Sequence, residues 1–399
     1  MGESGDRGGA SAAGEPAADA IALLERLVAF DTVSRNSNLD CIDFIRDHLA
    51  RHGVAARIQL DATGRKANLY ATIGPEDRPG VALSGHVDVV PVDGQTWSRD
   101  PFRLHREGGR LYGRGAADMK GFVAACLAAV PRFAARDLKR PIHLLITYDE
   151  EVGCHGARAL AADLAALPVR PEWVIVGEPS AMRPILGHKG KLSVRCTVRG
   201  RAGHSAYPER AANALHAGAE IVAVLCRQQA RLIAEGPHDA RFTPPWTTCH
   251  AGVFRSGSAL NVVPEQAEIL FEYRVIPGDD PLALLEGIRG EAEAAVLPAM
   301  RAAFADAAVV FETGPALPGM DLAEDHPLAA LVRSLTGANQ AGRVSYGTEG
   351  GIYQAAGMSA IVCGPGDIAQ AHTPDEWIAE SELVACERFL EGLADRLAA

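Results

Sequence analysis

The chain has 399 residues, 48% of them hydrophobic and 22% charged, which is ordinary for a globular enzyme of two or three domains whose core needs no disulfide staples. Lys and Arg total 39 against 50 Asp and Glu, a formal charge of −11 that argues against the basic face of a nucleic-acid binder. No stretch approaches the roughly 20 apolar residues that cross a bilayer. Residues 1–18 lack the basic start and apolar block of a secretory signal and read as a disordered tail, and the eight scattered Cys show no C-x-x-C pair, as for reduced, mostly buried thiols in the cytoplasm.

Residues 19–30 place Ile21, Leu23, Leu24, Leu27 and Val28 on one helical stripe, and 38–52 repeat the pattern. Short strands are expected at 54–60, 68–73 and 81–84, then an Ala-rich helix over 121–133. Residues 142–147 form a nearly continuous apolar run, the mark of a strand buried on both faces. A helix over 154–167 and a strand at 173–176 follow. Alternation of this kind predicts an α/β layered domain with a mixed, largely parallel sheet and helices on both faces. From residue 189 the texture changes: K-L-S-V-R-C-T-V-R over 191–199 alternates strictly, as a sheet with one wet face does. A helix at 213–225, strands at 247–254 and 267–275, a helix at 281–297 and a strand at 308–312 complete a β-α-β-β-α-β order, that of a ferredoxin-like unit. Apolar runs return afterwards, notably 360–363. The expected layout is therefore a tail at 1–18, a first domain in two parts, 19–187 and 315–399, and a second domain, 188–314, inserted between them.

Five segments carry acids and histidines at strand ends or in loops. They are S-G-H-V-D-V-V-P with His86 and Asp88, G-R-G-A-A-D-M-K-G with Asp118, I-T-Y-D-E-E-V-G-C-H-G with Asp149 to Glu151, V-I-V-G-E-P-S with Glu178, and G-P-G-D-I-A-Q-A-H-T-P-D-E with His372. Each alone reads equally well as a solvated loop, a turn or, for Asp118, a helix cap. The three adjacent acids after an apolar strand need a cation or full solvation. Together the segments supply two His and three carboxylates plus a spare Glu, borderline N and O donors that suit zinc. Two divalent ions bring +4. Asp118, Glu151 and Glu178 supply −3 and a bridging hydroxide the last −1, so a two-metal site would be neutral. Glu150, the spare acid, is then free to take and return a proton. The His-x-Asp spacing lets the Asp88 carboxylate approach a histidine ring. Cys154 and His155 receive no role.

These five motifs, in this order from about Leu23 to the C-terminus, resemble the zinc-dependent metallopeptidase and deacylase superfamily of acetylornithine deacetylases, succinyl-diaminopimelate desuccinylases, aminoacylases and glutamate-releasing carboxypeptidases. Within it, V-G-E-P-S, G-H-K-G-K, A-G-H-S-A-Y-P and C-G-P-G-D-I-A-Q-A-H-T-P-D-E-W are most similar to bacterial acetylornithine deacetylases. The resemblance implies two zinc ions per chain, with cobalt able to substitute. His86, Asp118 and Glu178 would hold one, and Asp118, Glu151 and His372 the other. It implies Glu150 as general base and acid, Asp88 as a partner to His86, and a cis bond after Asp118.

In the inserted domain, His204 of A-G-H-S-A-Y-P, Asn261 of G-S-A-L-N-V-V-P and Arg274 of F-E-Y-R-V-I-P, and beyond it Gly347 with Thr348 of Y-G-T-E-G, match family residues that contact substrate, His204 as an oxyanion donor. Arg274 suits an α-carboxylate, and equally a strand-surface salt bridge. Gly347 and Thr348 fit an ordinary glycine-rich turn as well. The implied activity is metal-dependent hydrolysis of N2-acetyl-L-ornithine to L-ornithine and acetate by a metal-bridged hydroxide. The alternatives are another N-acyl-amino-acid deacylase, desuccinylase or dipeptidase, and a non-catalytic binding relative. The expected partners are a small N-acyl amino acid and a second copy of the chain, paired through the inserted domain so that His204 serves the other subunit. Neither nucleic acid nor membrane is expected.

Overall fold

The computed structural model describes residues 17–399. Of the expected tail, residues 1–16 lie outside them, and Ala18 already starts the helix Ala18–Val28. Contacts divide the chain into two units. One takes the described part of Met1–Tyr148 with Gly177–Met182 and Gly364–Ala399, and the other takes Asp149–Val176 with Arg183–Cys363. The strand Trp173–Pro179 gives its first four residues to the second unit and its last three to the first.

In the first unit the strands lie in the order Ala56–Leu60, Ala67–Ile73, Ile142–Thr147, Val81–His86. The first two pairings are antiparallel and the last is parallel. Ile142–Thr147 and Val81–His86 are buried along their whole length, which is why both read as apolar runs without alternation. Their register sets His86 opposite Thr147, so the two strands end at one edge. The helix Gly121–Ala134 is built of small and apolar residues, nearly all buried, and packs against Ala18–Val28 and Glu380–Ala398. Its Phe122 ring lies so near the strand residue Gly177 that a Cβ there would stand 2.0 Å from it. A three-stranded sheet of His105–Glu107, Arg110–Tyr112 and Trp377–Ala379, which the sequence did not suggest, brings the C-terminal segment beside residues 110–112.

In the second unit, four antiparallel strands in the order Thr248–Ser256, Gln266–Val275, Gly190–Arg199, Ala308–Thr313 combine with helices Ala214–Glu235 and Pro281–Ala303. This is the ferredoxin-like β-α-β-β-α-β unit. Leu192, Val194, Cys196 and Val198 face a core shared with Ile221, Val224, Leu225, Ile288 and Val296, whereas Ser193, Arg195 and Arg199 stay exposed. Both helices are capped: Asn213 accepts from the Leu215 and His216 amides, and Asp280 from those of Leu282 and Ala283. A further group has Ile185–His188 antiparallel to Met320–Asp321 and to Ser359–Gly364, and parallel to Gly342–Val344.

The expected mixed α/β class is the observed one. Two strands outrun their expected ends: Val81–His86 includes His86 and Trp173–Pro179 includes Glu178. Both side chains sit inside a strand rather than after it, because a hydrophobic pattern is cut at the first polar residue even where that residue is buried. The eight Cys, all among the described residues, form no disulfide, and all but Cys226 are buried. Among the described residues no helix is long and apolar enough to cross a membrane.

Candidate metal centre

His86 closes its strand with a ring fully shielded from solvent. Its Nε2 lies 3.2 Å from Asp118 Oδ1 and 3.6 Å from Glu178 Oε1. Its Nδ1 is 2.9 Å from the main-chain oxygen of Asp88 and 3.6 Å from the Asp88 carboxylate. The Asp88 carboxylate lies near the ring, but the closer partner of Nδ1 is the Asp88 carbonyl, which only accepts, so Nδ1 carries hydrogen and Nε2 is turned toward the two acids. The Asp88 carboxylate instead accepts from Ser34 Oγ at 2.7 Å.

Asp118 follows Gly115, whose φ of 80° suits glycine, and the Asp118–Met119 bond is cis, as the resemblance implies. The second carboxylate oxygen of Asp118 lies 3.3 Å from His372 Nε2. One buried carboxylate therefore presents one oxygen to each of two histidines. His372 stands in the left-handed region at φ 63°, rare for a non-glycine residue and typical of constrained functional loops, with its ring half-exposed.

Burial works against a charged His86, but the hydrogen bond to Asp118 and the charges of Glu178 and Asp88 outweigh it, raising this histidine well above its ordinary value. Burial also opposes the Asp118 charge, and the bonds to His372 and His86 reverse that, lowering it. The carboxylates of the cluster thus favour a positive charge among them, as a cation site does, and its N and O donors fit zinc.

Two buried groups were missed in the sequence. Glu376, fully shielded, accepts from the amides of Gly115, Ala117 and Asp118 at 3.0, 2.9 and 3.1 Å and pairs with Arg114 at 2.8 Å. Burial and the Asp118 charge raise its pKa against the pull of Arg114 and the amides. Lys120 is equally shielded and donates to the Phe30 carbonyl at 2.9 Å, with burial pushing its amine down to about 8. Glu376 ends the quoted T-P-D-E and Lys120 lies in D-M-K-G, so their only signal was their place beside a candidate ligand.

In the second unit, Glu150 and Glu151 lie half-buried in the turn at 149–154, which begins two residues after Thr147. Asp149 and Cys154, both at φ 55°, give this turn two left-handed non-glycine residues. Cys154, left without a role above, places Sγ 3.4 Å from Glu150 Oε1. Gly203–His204 pairs with Val262–Val263, and the Ser205 amide donates to the Asn261 carbonyl at 3.1 Å, so His204 and Asn261 occupy adjoining exposed turns. His204 Nδ1 accepts from the Ala206 amide at 3.0 Å. Arg274 adopts the salt-bridge alternative, 2.9 Å from Glu272. Gly347 has no room for a Cβ, which would meet Leu317 at 2.4 Å, and the buried Thr348 accepts from the Gly350 amide at 3.1 Å.

A model of peptidase family M20/M25/M40 matches residues 82–396. An acetylornithine deacetylase of Myxococcus xanthus is 38% identical over 92% of this chain and 95% of its own length. One from Photorhabdus laumondii subsp. laumondii is 33% identical over 94% and 96%. Among solved structures, an M20 family metallo-carboxypeptidase from Sulfolobus solfataricus superposes with a TM-score of 0.75 at 17% identity, over 95% of this chain and 99% of that one.

Proposed function

Because the chain belongs to peptidase family M20/M25/M40 and is a metal-dependent hydrolase, we propose that it cleaves N2-acetyl-L-ornithine to L-ornithine and acetate. The observation that carries this reading is the shared carboxylate of Asp118 between His86 and His372, set beside the identity to acetylornithine deacetylases along nearly the whole chain. His86, Asp118 and Glu178 would hold one divalent ion, and Asp118, Glu151 and His372 the other. Zinc is the proposed resident metal, with cobalt as a substitute.

Bound divalent ions would supply Lewis acidity, polarising the amide carbonyl and acidifying a water. Glu150 takes the proton of the attacking water and returns it to the leaving amine, which becomes the α-amino group of ornithine. Asp88 holds the His86 ring through its main-chain oxygen. His204 donates to the developing oxyanion, helped by Asn261. Arg274, now paired with Glu272, turns its guanidinium to the substrate α-carboxylate, and Gly347 and Thr348 line the same pocket. The functional division is a catalytic domain at 19–187 and 315–399 with an inserted lid at 188–314, working as a cytoplasmic homodimer.

The test is a side-by-side assay of N2-acetyl-L-ornithine, acetylcitrulline, succinyl-diaminopimelate and short dipeptides. Acetylornithine is expected to give the highest kcat/KM by at least about tenfold, since the side-chain amine is the group a specific pocket must pair. A faster dipeptide or succinyl substrate would move the assignment to that class. Failure on all four with metal bound would favour a non-catalytic relative.

A further inference from the structure

Both members of the Glu376–Arg114 pair are sealed from solvent. A buried pair of this kind adds little to stability by itself, so its use lies in what else it touches. Among the described residues, the hydrogen bonds of the Glu376 carboxylate apart from Arg114 fall on one short stretch: Oε2 takes the Gly115 amide, and Oε1 the amides of Ala117 and Asp118. These amides open the short helical stretch Ala116–Lys120, which leaves helical φ/ψ at Asp118 and Met119, and the first amides of a helix have no partner within it. Arg114 extends the network, donating to Gln95 Oε1 and, at 3.4 Å, to the Thr373 carbonyl. Gln95 in turn donates from Nε2 to the His372 carbonyl at 2.8 Å and accepts from Trp97 Nε1 at 3.0 Å. One buried carboxylate thus ties the main chain of Asp118 to that of His372.

We propose that Glu376 is a positioning residue for metal binding: through Arg114 and Gln95 it fixes the backbones of Asp118 and His372 at the separation at which one carboxylate can serve two cations. The inference rests on the reading of Asp118 as a shared ligand. Glu376 is not one of the proposed ligands and acts through Asp118 and His372. Hydrogen bonds from three consecutive-region amides to an ionised acceptor are charge-assisted and hold a strand-to-helix segment in one conformation. Without them Asp118 would have to be ordered by the ions themselves, at the expense of affinity.

The full-length protein is stripped with a chelator and titrated with Zn2+ by calorimetry as wild type, Glu376→Gln, Glu376→Asp and Gln95→Ala. Glu376→Gln keeps the shape and one acceptor oxygen while losing the charge. It is expected to bind Zn2+ about 10- to 100-fold more weakly, the usual effect of removing a group that orients metal ligands. Gln95→Ala should weaken binding by a smaller factor. At saturating Zn2+ kcat should fall while KM changes less than about twofold, and Glu376→Asp should recover part of the loss. A folded Glu376→Gln protein with wild-type zinc affinity overturns the proposal. If Glu376→Gln fails to fold, Gln95→Ala decides: weakened binding supports the proposal and unchanged binding rejects it. A wild type that binds no Zn2+ would instead reject the metal reading of Asp118, and this proposal with it.

Discussion

In the metal-free protein, His86 should hold a proton at pH 7 that metal must displace. An unperturbed histidine, with a pKa near 6.5, is only about one-quarter protonated at that pH. His86 is raised well above that value, with burial opposing the charge and Asp118, Glu178 and Asp88 overcoming it, so it carries more of its proton than an unperturbed histidine. Metal uptake at His86 should then release more than about a quarter of a proton, and affinity should fall as pH drops below the raised pKa. The stability sign follows. A raised histidine pKa contributes stability that is full below the unfolded value of 6.5 and is lost as pH rises through the folded value, so the metal-free protein weakens on the alkaline side while the metal-bound one does not. Calorimetric Zn2+ titration of chelator-stripped His372→Ala protein at pH 7, in two buffers of contrasting ionisation enthalpy, counts the protons without a contribution from His372. A release near a quarter of a proton, or a zinc affinity flat between pH 6 and 8, would refute the electrostatic account of the cluster.

Glu150→Gln should retain bound metal and lose about two to four orders of magnitude in kcat, the usual worth of general acid–base catalysis, and metal loss on that change would exchange its role with Glu151. Gly177→Ala should lower the urea midpoint by the equivalent of about 1–3 kcal/mol, because the new Cβ meets the buried Phe122 ring, and an unchanged midpoint would show that the helix can move aside. Mixed Glu150→Gln and His204→Ala proteins, each nearly inactive, should regain about a quarter of the intact sites if His204 serves the partner subunit of a two-fold dimer. No recovery after demonstrated subunit exchange would place His204 in its own subunit's site.

The parts of this fold that sequence revealed are those with a clean period. The all-buried run at Ile142–Thr147 and the strict alternation of Gly190–Arg199 announced two different kinds of sheet, and both are present. The three-stranded sheet of 105–107, 110–112 and 377–379 escaped because its strands are three residues long, too short for any period. At the candidate metal centre, residue type and order sufficed to draw attention to His86, Asp118, Glu178 and His372, since acids and histidines at apolar strand ends stand out. Glu376 did not stand out, because its partners are main-chain amides 258 to 261 positions away, and backbone acceptors leave no residue-type signature. Likewise the sequence did not show that the Asp88 carbonyl lies closer to His86 Nδ1 than the Asp88 carboxylate does, the carboxylate accepting from Ser34.

The central claim, metal-dependent deacylation of N2-acetyl-L-ornithine, is tested most directly by following acetate and ornithine together as Zn2+ is returned stepwise to chelator-stripped protein. The expected result is no turnover without metal, equimolar acetate and L-ornithine once metal is present, and activity that reaches its plateau at no more than two ions per chain. Turnover that survives complete metal removal, or metal-saturated protein that leaves acetylornithine intact, would contradict it.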